Sequence, residues 1–332
     1  MKTRTVLFIA VFAAAFSALG AQVPERIVMG GRAVTMVADA VYAFPDARAR
    51  VQAVGGTDQG LGIFLRLVDP AFKETPALQR QSGVEAYAAF RPDLVIVKSA
   101  MSSQLGAGLD ALGIRSLYLN LESPDDYYKE LAELGRVLGD PARGAELVGY
   151  YKDLVTRVAS ATGTAAGVKP RVLVIQSAGE VFQVPPASWI QTRMVELAGG
   201  IPVWTGANPG SGWSRVGPEQ IAAWNPDVVF VISYKTDVAG IVENFRIDPR
   251  YSVLAAVRSG KVWGFPQDFL SWDQPDVRWG LGLLWMTNRL HPGRLAGYSA
   301  EAEARRFFRL FYGLDDAVFN QEILTRFKGD WK

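Results

Sequence analysis

The sequence predicts an α/β protein of two similar lobes, each with a central, mostly parallel sheet, joined by a single long helix, with a ligand cleft between the lobes. Three observations predict it. The stretch GPEQIAAWNPDVVFV at residues 217–231 repeats GVEAYAAFRPDLVIV at residues 83–97. One long amphipathic run lies between the two copies. Several apolar runs of strand length end in Gly-Gly or in small polar residues, as strands do at tight turns.

The repeat keeps Gly83/Gly217, Glu85/Glu219, Ala88/Ala222, Ala89/Ala223, Pro92/Pro226, Asp93/Asp227, Val95/Val229 and Val97/Val231 at one spacing of 134 residues. Each copy reads as a short helix opened by a Glu, a Pro-Asp turn and a buried strand. A helix, turn and strand connection also arises independently, and its chemistry accounts for the Pro and Asp. It does not account for a Glu at the same place twice.

In chain order, Arg26 to Met29 and Val51 to Val54 are short strands followed by Gly30-Gly31 and Gly55-Gly56. Neither place makes a G-x-G-x-x-G fingerprint, and no G-x-x-x-x-G-K-[ST] loop occurs, so nucleotide binding has no support. Ile114 to Leu119 is a further strand. Ser123-Pro124-Asp125-Asp126 supplies an N-cap, a Pro at the first helical position and early acids. Asp140-Pro141 restarts the signal, and Leu147, Val148, Tyr151, Leu154, Val155 and Val158 then give one apolar face. At 1.5 Å per residue a helix of about 20 residues spans about 30 Å, enough to connect two lobes stiffly. The second lobe opens with the strand Arg171 to Ile175, and Val262 to Phe265 is read as the last strand of its sheet. The expected divisions are a leader at 1–20, an N-terminal lobe at 21–140, the connecting helix at 141–163 and a C-terminal lobe at 164–332.

Lys2 and Arg4 precede an apolar run from Val6 to Phe16, and Ala18-Leu19-Gly20 offers small residues for cleavage near Gly20. This is the pattern of a secretory signal peptide. The run is shorter than the roughly 20 residues that span a bilayer. Removing Lys2 and Arg4 takes the formal charge from +2 to 0, because residues 1–20 hold no acid. A near-neutral protein has no field that seeks nucleic acid. The chain has no cysteine, which excludes disulfides, thiolate metal sites and a lipid-modified N-terminal Cys, so a soluble periplasmic protein is expected. His291 is the one histidine. It sits where a helix ends, and without other His or Cys ligands a site for a bare transition metal is not expected.

Ligands in open α/β sheets gather outside the carboxyl ends of strands. That rule makes Ser99, Ser233, Tyr234 and Gln176 candidates for the cleft, with Trp213 and Arg215 just before the second repeat and Trp272, Asp273 and Arg278 beyond the last strand. Ser99 and Ser233 form a matched pair at the repeat spacing. Each of these residues also has a purely structural reading.

On these motifs the chain resembles the solute-binding proteins of ABC importers that carry ferric siderophores, haem, cobalamin or related metal complexes. The resemblance covers essentially the whole chain after residue 20. It implies that Glu85 and Glu219 dock onto arginines of a membrane permease, although each also complements its helix N-terminus. The stretch Trp213-Ser-Arg-Val-Gly-Pro-Glu219 is similar to the cobalamin-binding member, where a Trp at that place lines the cleft. The first lobe departs from this, with Gln79 at the matching position. The tail SWDQPDVRWGLGLLWMTNRLHP looks like the end of a subgroup associated with iron complexes, some relatives of which take molybdate or tungstate.

The resulting expectation is a monomeric periplasmic binding component that passes a ferric-siderophore-like chelate to a permease and its ATPase. It needs no cofactor of its own, since the metal complex is cargo. A stiff connector implies little hinge closure. Cobalamin, or a bare oxyanion held near Gly30, Gly31, Ser99 and Ser177, is the alternative cargo. An exported enzyme is disfavoured, because Gly210-Ser211-Gly212 is not a nucleophile elbow and one His leaves little for a triad.

Overall fold

The structure is a computed structural model and describes residues 22–56, 60–75, 77–163, 167–179 and 181–332. The expected leader and its cleavage site lie outside the described residues. The N-terminal sheet has five parallel strands in the order β3-β2-β1-β4-β5. They are β1 (Ile27–Met29), β2 (Val51–Gly55), β3 (Glu74–Thr75), β4 (Leu94–Lys98) and β5 (Arg115–Leu119). The C-terminal sheet contains β6 (Arg171–Ala178), β7 (Val181–Val184), β8 (Ile201–Pro202), β9 (Ser214–Val216), β10 (Val228–Ile232) and β11 (Val262–Gly264). Its order is β11-β10-β6-β7-β9, with β8 also on β6; β7 pairs antiparallel with both β6 and β9, and the other pairings are parallel.

Both repeats form the same substructure. The strands LVIVK of β4 and VVFVI of β10 are buried throughout, as parallel strands covered on both faces are. Each follows a short helix, Val84–Ala88 or Pro218–Trp224, that starts from a Gly N-cap. The Asp of each Pro-Asp turn fastens the neighbouring strand. Asp93 accepts the backbone N–H groups of Glu25 at 2.7 Å and Arg26 at 3.0 Å, and Asp227 accepts that of Arg171 at 2.8 Å. Arg26 and Arg171 return the contact by donating to carbonyls at the helix ends, Phe90 and Trp224.

Helix Pro124–Leu138 forms as its signals direct: Ser123 Oγ accepts the Asp126 N–H at 3.2 Å, and Gly139 stops it in the left-handed region at φ 84°. The connecting helix, Pro141–Gly163, buries Leu147, Tyr151, Leu154 and Val158. Tyr151 stacks on Trp279 of helix Trp279–Leu290 with ring centroids 4.8 Å apart and an 8° interplanar angle.

The chain beyond this helix does not stay within the C-terminal lobe. Helix Ala300–Tyr312 lies across the first lobe, where the Tyr312 phenol donates to the Asp39 carbonyl at 3.0 Å and Phe64 meets the Tyr312 ring at 4.7 Å. A second bond between lobes is ionic. Arg278 reaches Asp39 of helix Val34–Tyr42 at 2.6 Å, together with Asp268 at 2.9 Å and Asp276 at 2.7 Å, and none of these side chains is exposed. Arg278 was expected at the cleft. It is instead the centre of a buried ion cluster, because three carboxylates inside the protein require a cation that stays charged.

Removing that cation leaves buried charges uncompensated. Arg278→Met is expected to lower the stability by about 3–5 kcal/mol in urea denaturation. A loss under about 1 kcal/mol would show that the cluster does not hold the lobes.

Candidate functional site

A cleft of about 490 Å³ lies between the lobes, at the carboxyl ends of the strands of both sheets. Gly31 and Arg32 follow β1, Gly56 follows β2, Ser99 follows β4, Asn120 and Glu122 follow β5, Gln176 lies within the end of β6, and Tyr234 follows β10. This is where the crossover geometry of parallel sheets leaves room for a ligand.

The N-terminal wall is polar and cationic. Lys98, at the end of β4, is nearly buried; its ammonium donates to the Asn120 carbonyl and to Glu122 Oε1 at 2.9 Å. Ser99 Oγ donates to Asn120 Oδ1 at 3.1 Å, and the Asn120 amide is itself oriented by Asp126 Oδ2 at 2.8 Å. Burial raises the Glu122 carboxyl above its usual range, opposed by Lys98. Arg32 and Arg80 line the same wall and are exposed. Neither forms a salt bridge or hydrogen bond among the described residues.

The C-terminal wall is aromatic. Trp189 meets Trp213 edge to face at 5.7 Å, and Trp213 meets Tyr234 in the same way at 6.1 Å. Tyr234 donates from its hydroxyl to Asp273 Oδ2 at 2.7 Å, Gln191 Nε2 donates to the same oxygen at 3.2 Å, and Ser271 Oγ donates to Oδ1 at 2.5 Å. Asp273 is fully buried, and burial pushes its carboxyl up to about 6 against the pull of these three donors. The carboxylate thus sets the orientation of two cleft residues without lining the cleft itself.

Of the residues picked from the sequence, Ser99, Gln176, Trp213 and Tyr234 come together in the cleft. Four others do not. Arg215 is carried to solvent on the edge strand β9. Trp272 is buried, donating its indole N–H to Asp268 Oδ2 at 2.9 Å and packing on Phe327. Arg278 is in the buried ion cluster. Ser233 turns inward and pairs with Thr236 at 2.9 Å, so the matched serine pair does not form two walls. Ser177 does not line the cleft, and Gly30 is closed off by the Tyr87 ring. Arg32, Arg80, Lys98, Asn120, Glu122, Trp189 and Gln191 escaped the sequence reading. The strand-end rule that found Ser99 also points to Arg32 after Gly30-Gly31 and to Asn120 after β5. His291 caps the C-terminus of its helix, with Nε2 2.9 Å from the Ala198 carbonyl. Among the described residues no group of three or more His, Cys, Asp or Glu could hold a metal ion.

Two walls on the strand ends of two like lobes describe a receptor for a small molecule, and the sequence comparison agrees. The family described as periplasmic binding protein matches residues 27–269, well over half the chain. The chain belongs to the periplasmic binding protein family. Cobalamin-binding proteins from two strains of Halobacterium salinarum are each 26% identical over 208 residues, which is 62% of this chain and 53% of theirs. The chain therefore spans about half the length of those relatives. An ABC transporter solute-binding protein from Sulfurospirillum deleyianum shares the fold at a TM-score of 0.73, with 20% identity over 91% of this chain and 94% of that one. A molybdate-bound periplasmic binding protein from Haemophilus influenzae does so at 0.68, with 18% identity over 89% and 95%.

The Asp273 carboxyl gives this binding protein a pH signature. A carboxyl raised in the folded state stabilises most below its unfolded value, and that contribution is lost as pH rises to the folded value. Stability linked to Asp273 therefore falls between about pH 4 and pH 6. Asp273→Asn should remove one linked proton from the pH dependence of unfolding across that window. An unchanged slope in melts recorded across it would contradict the assignment.

Proposed function

We propose that this chain is the substrate-binding component of an ABC importer, and that its cargo is an anionic organic metal chelate of the ferric-siderophore class. The observation that carries this reading is the two-sided cleft. Arg32 and Arg80 offer planar donor forks suited to carboxylate or catecholate oxygens, and Trp189, Trp213 and Tyr234 offer broad apolar faces on the opposite wall. A cavity of about 490 Å³ is in the range of sites that enclose an organic molecule. Ser99 and Gln176 supply hydrogen bonds that fix orientation. The protein captures its cargo in the periplasm and makes or breaks no bond in it.

Delivery would use the two repeats. Glu85 and Glu219 are both exposed in the first turns of their helices, and both fold back over their N-caps: a Cβ on Gly83 would lie 2.9 Å from Glu85 Oε2, and one on Gly217 3.1 Å from Glu219 Oε2. Two like carboxylates on two like lobes suit a permease that presents paired arginines. Cobalamin is the second reading. It is favoured by Trp213 standing in the cleft on the segment that leads to Glu219, and by the name of the Halobacterium relatives.

Thermal-shift screening of residues 21–332 against ferric siderophores, haem, cobalamin, molybdate and tungstate tests the cargo. A ligand at about 100 times its Kd stabilises the native state by about 2.7 kcal/mol. A shift with an anionic chelate, weakened about tenfold or more in affinity by Arg32→Ala with Arg80→Ala, is the expected outcome. A shift with molybdate or tungstate alone overturns the chelate reading.

Docking is tested separately. The double variant Glu85→Ala and Glu219→Ala should keep cargo affinity and lose uptake in cells. Uptake at the wild-type rate would remove the docking role.

A further inference from the structure

The ion cluster between the lobes holds more negative charge than its one cation can balance. Asp39, Asp268 and Asp276 converge on Arg278, all out of reach of water. Fully ionised, the four groups would carry two surplus negative charges in a place where an uncompensated charge is very costly. One fewer negative charge halves that surplus.

The hydrogen bonds locate the shortfall. Asp268 is well served, by Arg278 Nε at 2.9 Å, Trp272 Nε1 at 2.9 Å and the backbone N–H of Leu270 at 3.2 Å. Asp39 and Asp276 are served on one side only. Asp39 Oδ2 and Asp276 Oδ1 both accept from Arg278 Nη1, at 2.6 and 2.7 Å. Their other oxygens, Asp39 Oδ1 and Asp276 Oδ2, have no partner among the described residues. Because both accept from the same Nη1, the two carboxyls lie side by side.

We propose that Asp39 and Asp276 share one proton, so that a carboxylic acid of one lobe bonds to a carboxylate of the other and the junction between the lobes is proton-dependent. A single proton there relieves one surplus charge, as it does when two carboxyls share a site. Burial and the neighbouring Asp276 both raise the Asp39 carboxyl, while Arg278 opposes them. The other groups facing the pair supply no countercharge. The phenols of Tyr312, Tyr151 and Tyr127 lie near it, and burial raises all three, so they stay neutral. Asp268 adds a negative charge.

The shared proton lies directly behind the cleft. Met36, one helical turn before Asp39, lines it, and so does Pro275, the neighbour of Asp276. The proposal does not depend on what the cleft carries.

Asp39→Asn tests it, because the amide N–H takes the place of the shared proton at every pH; Asp276→Asn is the converse. Above the Asp273 step, the wild type should lose thermal stability relative to Asp39→Asn as pH rises and its raised carboxyl ionises. In the wild-type protein labelled with carboxyl-13C aspartate, infrared spectra at about pH 7, just above the Asp273 step, should contain the carbonyl band of a buried protonated acid, lost in either variant. Parallel pH profiles together with no acid band would overturn the proposal. Should neither variant fold, the band in the labelled wild type decides: its absence rejects the shared proton.

Discussion

Arg278 ties the two lobes together at a buried ion cluster. Its guanidinium is covered by the Phe64 ring at 4.5 Å and the Phe308 ring at 5.4 Å while its nitrogens serve three carboxylates. Phe64 and Asp39 come from the first lobe; Asp268, Asp276 and Phe308 come from the second half of the chain. A buried charge of this kind is tolerated only where its surroundings are built to answer it. The stretch from Phe265 to Thr287 is buried throughout for that reason.

That constraint also explains what the sequence did and did not disclose. Local chemistry was legible. The Pro-Asp turns, the strands β4 and β10, the Ser123 cap and the apolar stripe of the connecting helix each depend on residues close together in the chain, and they form where expected. The cleft was legible where strand ends define it, as at Ser99, Gln176 and Tyr234. Trp272 and Arg278 misled because a Trp and an Arg near a strand end have the same composition whether they face a ligand or a buried carboxylate. For Arg278 the difference lies in Asp39, more than two hundred residues away. The short antiparallel strands β7 and β9 escaped for a similar reason: VFQV and SRV carry too few residues to display a period, and pairing with distant segments defines them.

The two lobes share a scaffold but not a lining. The outer and basal machinery repeats: a Gly N-cap, a Glu in the first turn, and an Asp that fastens the next strand. The residues just past each repeated strand diverge, from Lys98-Ser99 in one lobe to Ile232-Ser233-Tyr234 in the other. One wall became cationic and the other aromatic. A symmetric frame with an asymmetric interior can grip a cargo whose two faces differ, and the same frame can be relined without disturbing the core.

The path of the C-terminal helix carries a consequence for how the chain folds. Helix Ala300–Tyr312 leaves the second lobe to close the first, through Tyr312 on Asp39 and through Arg143 on the carbonyls of Leu310 and Phe311. The architectural halves are therefore not independent folding units. Cut after Gly163, the first fragment would lack the roof over its own helix, and the second would carry an apolar helix with nothing beneath it. Acquisition of structure should be cooperative across both lobes, with a helix made late in the chain completing the lobe begun first.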